Sequence, residues 1–322
     1  MILTLTPNPS VDRTVALTTA LQRGEVQHIS SVLDQPGGKG VNISRAAVAA
    51  EVPTVAVLPA RDDEEFVTSL RAGGVTVVTS APAGGIRMNI TVTEPDGTTT
   101  KLNAPGATMS PANVEALAAA VVEQASRATW VVLAGSLPPG APATFYADLC
   151  RALQHTGARV AVDTSGAPLA ALVDALGHGD DDARPDLMKP NGEELASLTG
   201  DDADALEADP VAAARAARVL VDRGARAVLA SLGGNGAVLV NADGAWHASP
   251  PPTTVVSTVG AGDSSLFGHL VADLRGLDAP GRLAMSVAYG SAAAALPGTT
   301  VPTPTQVRPD LVSVQALGGW HA

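Results

Sequence analysis

Cysteine is almost absent from this 322-residue sequence. Cys150 is the only one, which excludes an internal disulfide, and its place on a helical pattern marks it for packing, not nucleophilic duty. Aromatic residues make up 2% of the chain, so a core has to be assembled from Ala, Val and Leu. Lysine occurs three times among twenty basic residues, as Lys39, Lys101 and Lys189. Where arginine has replaced lysine so widely, positions that keep a compact ammonium are candidates for a site that needs one. No run of eighteen apolar residues appears, and the opening 1–5 is too short for a leader and reads as a first strand. The expected setting is cytoplasmic. A net charge of −12 speaks against nucleic acid or an anionic membrane as partner. Any small anion would have to be held by a few local cations against an unfavourable field.

What the chain does contain is 46% hydrophobic residues with 16% charged, the balance of a compact globular protein. Short β-branched runs at 54–58, 75–78, 130–134, 159–162 and 227–230 alternate with helical patterns at 41–50, 111–125, 142–155 and 210–223. Such alternation predicts a mainly parallel sheet covered on both faces, with strands apolar throughout. Two stretches, 10–33 and 86–103, lack a helical period. The second reads as a hairpin turning at Pro95-Asp96-Gly97, and 11–17 and 26–33 alternate as strands. Together they predict a small separate sheet covering the C-terminal ends of the parallel strands, where ligands of open α/β folds bind. The acidic 177–184 segment reads as a solvated loop, because three adjacent aspartates lack the spacing of a shaped metal site.

Near the C-terminus, Gly260-Ala261-Gly262-Asp263 separates an expected strand end over 253–259 from a helix over 264–274. Glycines before a helix N-terminus favour a bound anion. An aspartate in the same turn is either an N-cap or a group with a proton-transfer role. Pro36-Gly37-Gly38-Lys39-Gly40-Val41-Asn42 is a second glycine-rich turn into a helix. Its lysine opposes the helix dipole unless an anion is present. Asp12 leaves the first strand at its C-terminal end, as an Asx-turn or an acceptor for sugar hydroxyls. Arg87 and Lys101 fall on facing arms of the hairpin, where they could converge on a phosphate. Asn191 and Glu194 fit a capping box, a reading compatible with organising magnesium and its waters. The glycines of Ser231-Leu232-Gly233-Gly234-Asn235-Gly236 suit a hairpin or a flat nucleotide surface. The six histidines are scattered, with no metal-ligand spacing.

Taken in order, these motifs resemble the ribokinase-like (phosphofructokinase B) carbohydrate kinase family over nearly the whole chain. The residues 6–12, 36–42, Lys189-Pro190-Asn191 with Glu194, and 258–263 carry the resemblance. Asn8-Pro9-Ser10-Val11-Asp12-Arg13 and Arg87-Met88-Asn89 are similar to its phosphosugar branch. The resemblance implies an α/β fold: a three-layer αβα sandwich with a mainly parallel central sheet and a small β-sheet lid, as one kinase domain over 1–322. It implies transfer of the ATP γ-phosphoryl group to a ketohexose phosphate, foremost fructose 1-phosphate. Tagatose 6-phosphate and fructose 6-phosphate are the alternative acceptors, and a non-catalytic sugar-phosphate sensor is the alternative class. Asp263 would take the hydroxyl proton, with Gly260, Ala261 and Gly262 as the anion hole. Asp12, Gly37, Gly38, Lys39, Asn42, Arg87, Lys101 and Ser136 would bind the sugar phosphate. Lys189, Asn191, Glu194, Ser231, Gly233 and Gly236 would serve ATP, with Mg2+ at Asn191 and Glu194 through water. A homodimer through the lid is also implied.

Overall fold

The computed structural model describes residues 1–318, so the last four residues of the expected 1–322 unit lie outside the described residues. The strands begin with β1 (Ile2–Leu5), β2 (Ser10–Leu17), β3 (Ile29–Gly37), β4 (Thr54–Pro59), β5 (Thr76–Ser80), β6 (Arg87–Thr93) and β7 (Thr99–Asn103). They continue with β8 (Trp130–Ala134), β9 (Arg159–Asp163), β10 (Leu187–Met188), β11 (Ala227–Ser231), β12 (Ala237–Asn241), β13 (Gly244–Ser249) and β14 (Ser313–Ala316). Early helices are α1 (Lys39–Ala49), α2 (Glu65–Ala72), α3 (Pro111–Ala125), α4 (Phe145–Leu153) and α5 (Ala167–Gly177). Later ones are α6 (Gly192–Thr199), α7 (Ala203–Ala208), α8 (Pro210–Arg223), α9 (Ala261–Leu274) and α10 (Ala279–Ala294).

Ten strands form the main sheet in the order β14-β13-β12-β11-β10-β9-β8-β1-β4-β5. From β5 to β11 every pairing is parallel; β12 to β14 add on antiparallel. Alternate strand residues feed different cores. Leu3, Leu5, Val131, Leu133, Val160 and Val162 pack with α3, α4, α5 and α8 on one face. Ile2, Trp130, Val132, Ala161 and Leu229 pack with α1, α9 and α10 on the other. Burial on both faces is why these strands read as unbroken apolar runs. The shortage of aromatics is met by alanine, as along α8, where Ala213, Ala214, Ala216 and Ala217 are buried.

The chain leaves β1 toward β4 and β5 on one side and returns to β8 on the other. That reversal opens a crevice at the C-terminal strand ends. A second sheet, in the order β3-β2-β6-β7, is built from the two stretches expected to form it. β3 starts later than the sequence pattern suggests and runs on through Gly37, so the glycine-rich segment 36–42 opens in strand and continues as helix from Lys39. Only Gly38, at φ +117°, separates it from α1. A side chain would be strained there, which explains the glycine. α1 is locked to the main sheet by a buried hydroxyl chain. Thr4 Oγ1 and Ser44 Oγ lie 2.8 Å apart, Ser44 and Thr54 2.9 Å, and Thr54 donates to the Ile2 carbonyl.

The strand expected over 253–259 does not form. β13 ends at Ser249, and Pro250, Pro251 and Pro252 follow without a backbone donor among them. The donors of Val256 and Ser257 go to the Ala294 carbonyl at the end of α10, not to a strand ladder.

Candidate active site

The crevice is a cavity of about 1090 Å³. It is large enough for two small substrates side by side. The main sheet supplies Thr6, Gly135, Ser136, Ser165 and Lys189 just past the ends of their strands and Ser231 at the end of β11. The small sheet supplies Ser10, Asp12, Arg87 and Asn89. Ser10 pairs with Arg87 and Asp12 with Asn89, so alternation along β2 and β6 puts all four on one face.

Gly260, in the left-handed conformation at φ +78°, is the N-cap of α9, and no side chain caps this end. Asp263 is therefore not the cap; it sits inside the first helical turn and is buried. Ala261 and Gly262 line the cavity alongside it, and helix geometry leaves the opening N–H groups of α9 without acceptors within the helix; that of Ala261 goes to the Thr258 carbonyl at 3.3 Å. Asn42 Nδ2 donates to Asp263 Oδ2 at 2.8 Å. Burial first, then the Asp163 carboxylate, push the Asp263 carboxyl up to about 6, against the opposing pull of Lys39, the Asn42 amide and Lys189.

Asp163, the last residue of β9, is a site residue that sequence reasoning missed. Lys39 Nζ donates to its Oδ1 at 2.5 Å, and Lys189 Nζ lies 3.1 Å from its Oδ2. The carboxylate is fully buried and Lys189 is 5% exposed. Burial alone would push Asp163 up, but the Lys189 and Lys39 ammoniums reverse this and hold it below the usual carboxylate range. Burial also works against the charge of Lys39, yet Asp163, Asp263 and Glu194 together keep its pKa above the ordinary lysine value. A polar residue ending an apolar strand at the crevice was the available signal, and the strand had been ended one residue early. Two of the three lysines, Lys39 and Lys189, thus share one carboxylate.

Arg87 is anchored at the sheet edge, donating from Nε to the Asn8 carbonyl and from Nη1 to the Ala104 carbonyl. Asp12 accepts from Ser10 Oγ at 2.8 Å and Asn89 Nδ2 at 3.1 Å. Gly37 passes so close beneath Asp12 that a Cβ would overlap its carboxylate. Gly38, Asn42 and Ser136 line the cavity. Lys101 does not. It pairs opposite Thr91, two residues short of the Asn103–Asn89 pair, and is exposed on the strand. Two residues of strand are about 7 Å, enough to keep it out of the crevice.

At the other end, the capping box at α6 is present: Asn191 Oδ1 accepts from Glu194 N at 2.7 Å and Glu194 Oε2 from Asn191 N at 2.9 Å. Both line the cavity with Ser231, Gly233 and Gly236. Among the described residues no group of three His, Cys, Asp or Glu side chains could hold a metal ion. The acidic 177–184 segment is tied into ion pairs instead, Asp180 with Arg151 and Asp181 with Arg184. Cys150 is buried in the core, and burial, then Asp186, push its thiol up to about 12, as a packing role requires.

The profile of the pfkB family carbohydrate kinases matches residues 6–306. The 1-phosphofructokinase of Rhodobacter capsulatus is 34% identical over 310 residues, covering 95% of this chain and 94% of that protein. The ATP-dependent 6-phosphofructokinase isozyme 2 of Escherichia coli is 32% identical, covering 92% and 94%. The crystal structure of phosphofructokinase-2 from Escherichia coli in complex with substrates and products superposes with a TM-score of 0.84 at 30% identity, over 96% of this chain and 99% of that one. The protein is an ATP-dependent sugar kinase. The chain belongs to the pfkB family of carbohydrate kinases, on the sugar-phosphate side of that family.

Proposed function

We propose that the protein transfers the γ-phosphoryl group of ATP to a hydroxyl of fructose 1-phosphate, giving fructose 1,6-bisphosphate and ADP. The observation that carries this is Asp263, a buried carboxyl with its pKa pushed up to about 6 at the start of α9. A base poised near neutrality takes a hydroxyl proton without being protonated beforehand. In the reaction the sugar O–H bond breaks, its proton passes to an Asp263 oxygen, and the oxygen bonds to the γ-phosphorus. The bond from that phosphorus to the bridging oxygen of ADP breaks. The N–H groups of Ala261, Gly262 and Asp263, with Gly260 shaping the turn, would offset charge on the migrating phosphoryl oxygens. Lys39 and Lys189 stand beside that path.

Asp12, Asn42, Gly37, Gly38 and Ser136 would hold the sugar, with Arg87 at the phosphate that stays. Lys101 is left out of this assignment. Ser231, Gly233 and Gly236 would carry the nucleotide. Magnesium fits the residues present, because it keeps several waters and leans on substrate phosphates instead of a full protein cage. Asn191 and Glu194 would hold its waters, and the ion supplies neutralisation of the ATP phosphates. The four-stranded sheet would act as a lid and, through Val32, Met88 and Leu102 on the face opposite Arg87, as a homodimer contact; all three are exposed.

Similarity to a 6-phosphofructokinase supports fructose 6-phosphate as the second reading. The deciding experiment is kcat/KM for fructose 1-phosphate, fructose 6-phosphate and tagatose 6-phosphate, measured by coupled ADP release. Fructose 1-phosphate is expected to lead, and a higher value for either 6-phosphate overturns the choice of acceptor.

A further inference from the structure

We infer that Arg45 is a positioning residue for the reacting carboxylate, acting through the Asn42 amide. This rests on the reading of Asp263 as proton acceptor. Arg45 lies one turn beyond Asn42 on α1. Its Nη1 donates to the Pro36 carbonyl at 3.3 Å, to Asn42 Oδ1 at 3.4 Å and to the Thr299 carbonyl at 3.2 Å. A side-chain amide has a donor end and an acceptor end. Guanidinium has no acceptor, so it takes the oxygen and leaves Nδ2 for Asp263. Reversed, the amide would set its oxygen against a carboxylate and its N–H groups against a cation. Arg45 thereby selects the orientation that favours the charged form of Asp263.

The Thr299 carbonyl is itself held in place. Gln35 Oε1 of β3 accepts from Thr299 N and from Thr299 Oγ1, each at 3.3 Å. Gly298, at φ +58°, passes so near that a Cβ would lie 2.6 Å from the same oxygen. The three acceptors of Arg45 therefore come from the end of the small sheet, from α1 and from the 298–299 turn. One guanidinium joins the small sheet to the reacting carboxylate. Burial lowers the pKa of Arg45 and Asp12 works to restore it, but an arginine keeps its charge. The other charged groups facing Asp263 are Asp163, Lys39 and Lys189, none of which Arg45 contacts through these bonds.

The test is kcat against pH for the wild type, Arg45→Ala, Arg45→Lys, Asn42→Ala and the Arg45→Ala/Asn42→Ala pair, using the acceptor with the highest kcat/KM. Losing a hydrogen bond to the charged form raises the pKa of the base. Arg45→Ala is expected to move the acid limb up by about one pH unit, with tenfold lower kcat along that limb and KM for ATP unchanged. Arg45→Lys, a point charge without the fork, is expected to restore part of the shift. In the Asn42→Ala background the change at Arg45 should shift nothing further. A wild-type acid limb in Arg45→Ala, or in Arg45→Met should the alanine variant not fold, overturns the inference. So does an undiminished shift in the Asn42→Ala background. An acid limb that persists in the residual activity of Asp263→Asn removes the proton-acceptor reading itself, and this inference with it.

Discussion

Asp263 is nearly fully buried, and that burial is the first cause of a carboxyl pushed up to about 6. Its folded-state value is above the ordinary 3.8, so between pH 3.8 and about 6 the native state binds the proton more tightly than the unfolded chain. Stability therefore falls as pH rises through that window and stays lower above it. Asp263→Asn is expected to gain on the order of 1–3 kcal/mol at pH 7 by denaturant unfolding. It is also expected to lose about 10²–10⁴ in kcat. A variant no more stable than wild type, or one with near-normal turnover, would contradict the strained-base account. Arg87→Ala should raise KM for the sugar phosphate about tenfold and leave KM for ATP unchanged, since charge-assisted bonds to a retained phosphate are lost. A rise in KM for ATP instead would move Arg87 to the nucleotide side. Residue types at this scale were partly legible in the sequence: scarcity singled out Lys39 and Lys189 but equally Lys101, which does not line the cavity, and the glycine turn singled out Asp263. Asp163 was not, because a single aspartate after an apolar strand carries no signal until its two lysines, 124 and 26 positions away, are seen against it.

At the scale of elements, two capped helices were read to the residue, α3 behind the Ser110 capping box and α8 behind Asp209, whereas α7 and α10, capped by Asp202 and Asp278, were not read. Most strands were as plain, but their ends were not, and the strand expected over 253–259 is absent. β3 overran its expected limit because pairing with β2 carries it through Gly37, a tertiary effect that local alternation cannot register. The 253–259 segment has β-branched residues and still is no strand: three prolines stand just ahead of it, and the Val256 and Ser257 donors go to the Ala294 carbonyl instead of a ladder. Packing of α9 on α10 makes a further demand. A Cβ on Gly268 would lie 2.5 Å from the Met285 carbonyl, so the helices touch backbone to backbone there. Gly268→Ala is expected to cost about 1–3 kcal/mol and lower the thermal midpoint, although alanine is the better helix former. An unchanged or higher midpoint would mean the two helices part at little cost.

Across the whole molecule, parallel sheet order and a second sheet over the switch point decide where chemistry can occur. That much followed from strand–helix alternation and two aperiodic stretches. Which side chains converge did not, because convergence depends on register between strands far apart in sequence. If the small sheet closes over the substrates, a sugar phosphate with a non-hydrolysable ATP analogue should slow amide exchange in β2, β3 and β6 by about tenfold or more, leaving β8 and β9 unchanged. Equal exchange with and without ligands would argue for a crevice that stays open.

The single-residue joint at Gly38 has a consequence for how this chain can change in length. Connections between elements ordinarily absorb insertions. Here the strand ahead of the joint belongs to the small sheet, while the helix behind it is bolted to the main sheet through Thr4, Ser44 and Thr54. One added residue would introduce slack between the small sheet and the helix that carries Lys39 and Asn42. A glycine inserted after Gly38 should leave the thermal midpoint within a few degrees yet abolish most turnover, and retained turnover would show that the two sheets need no fixed spacing.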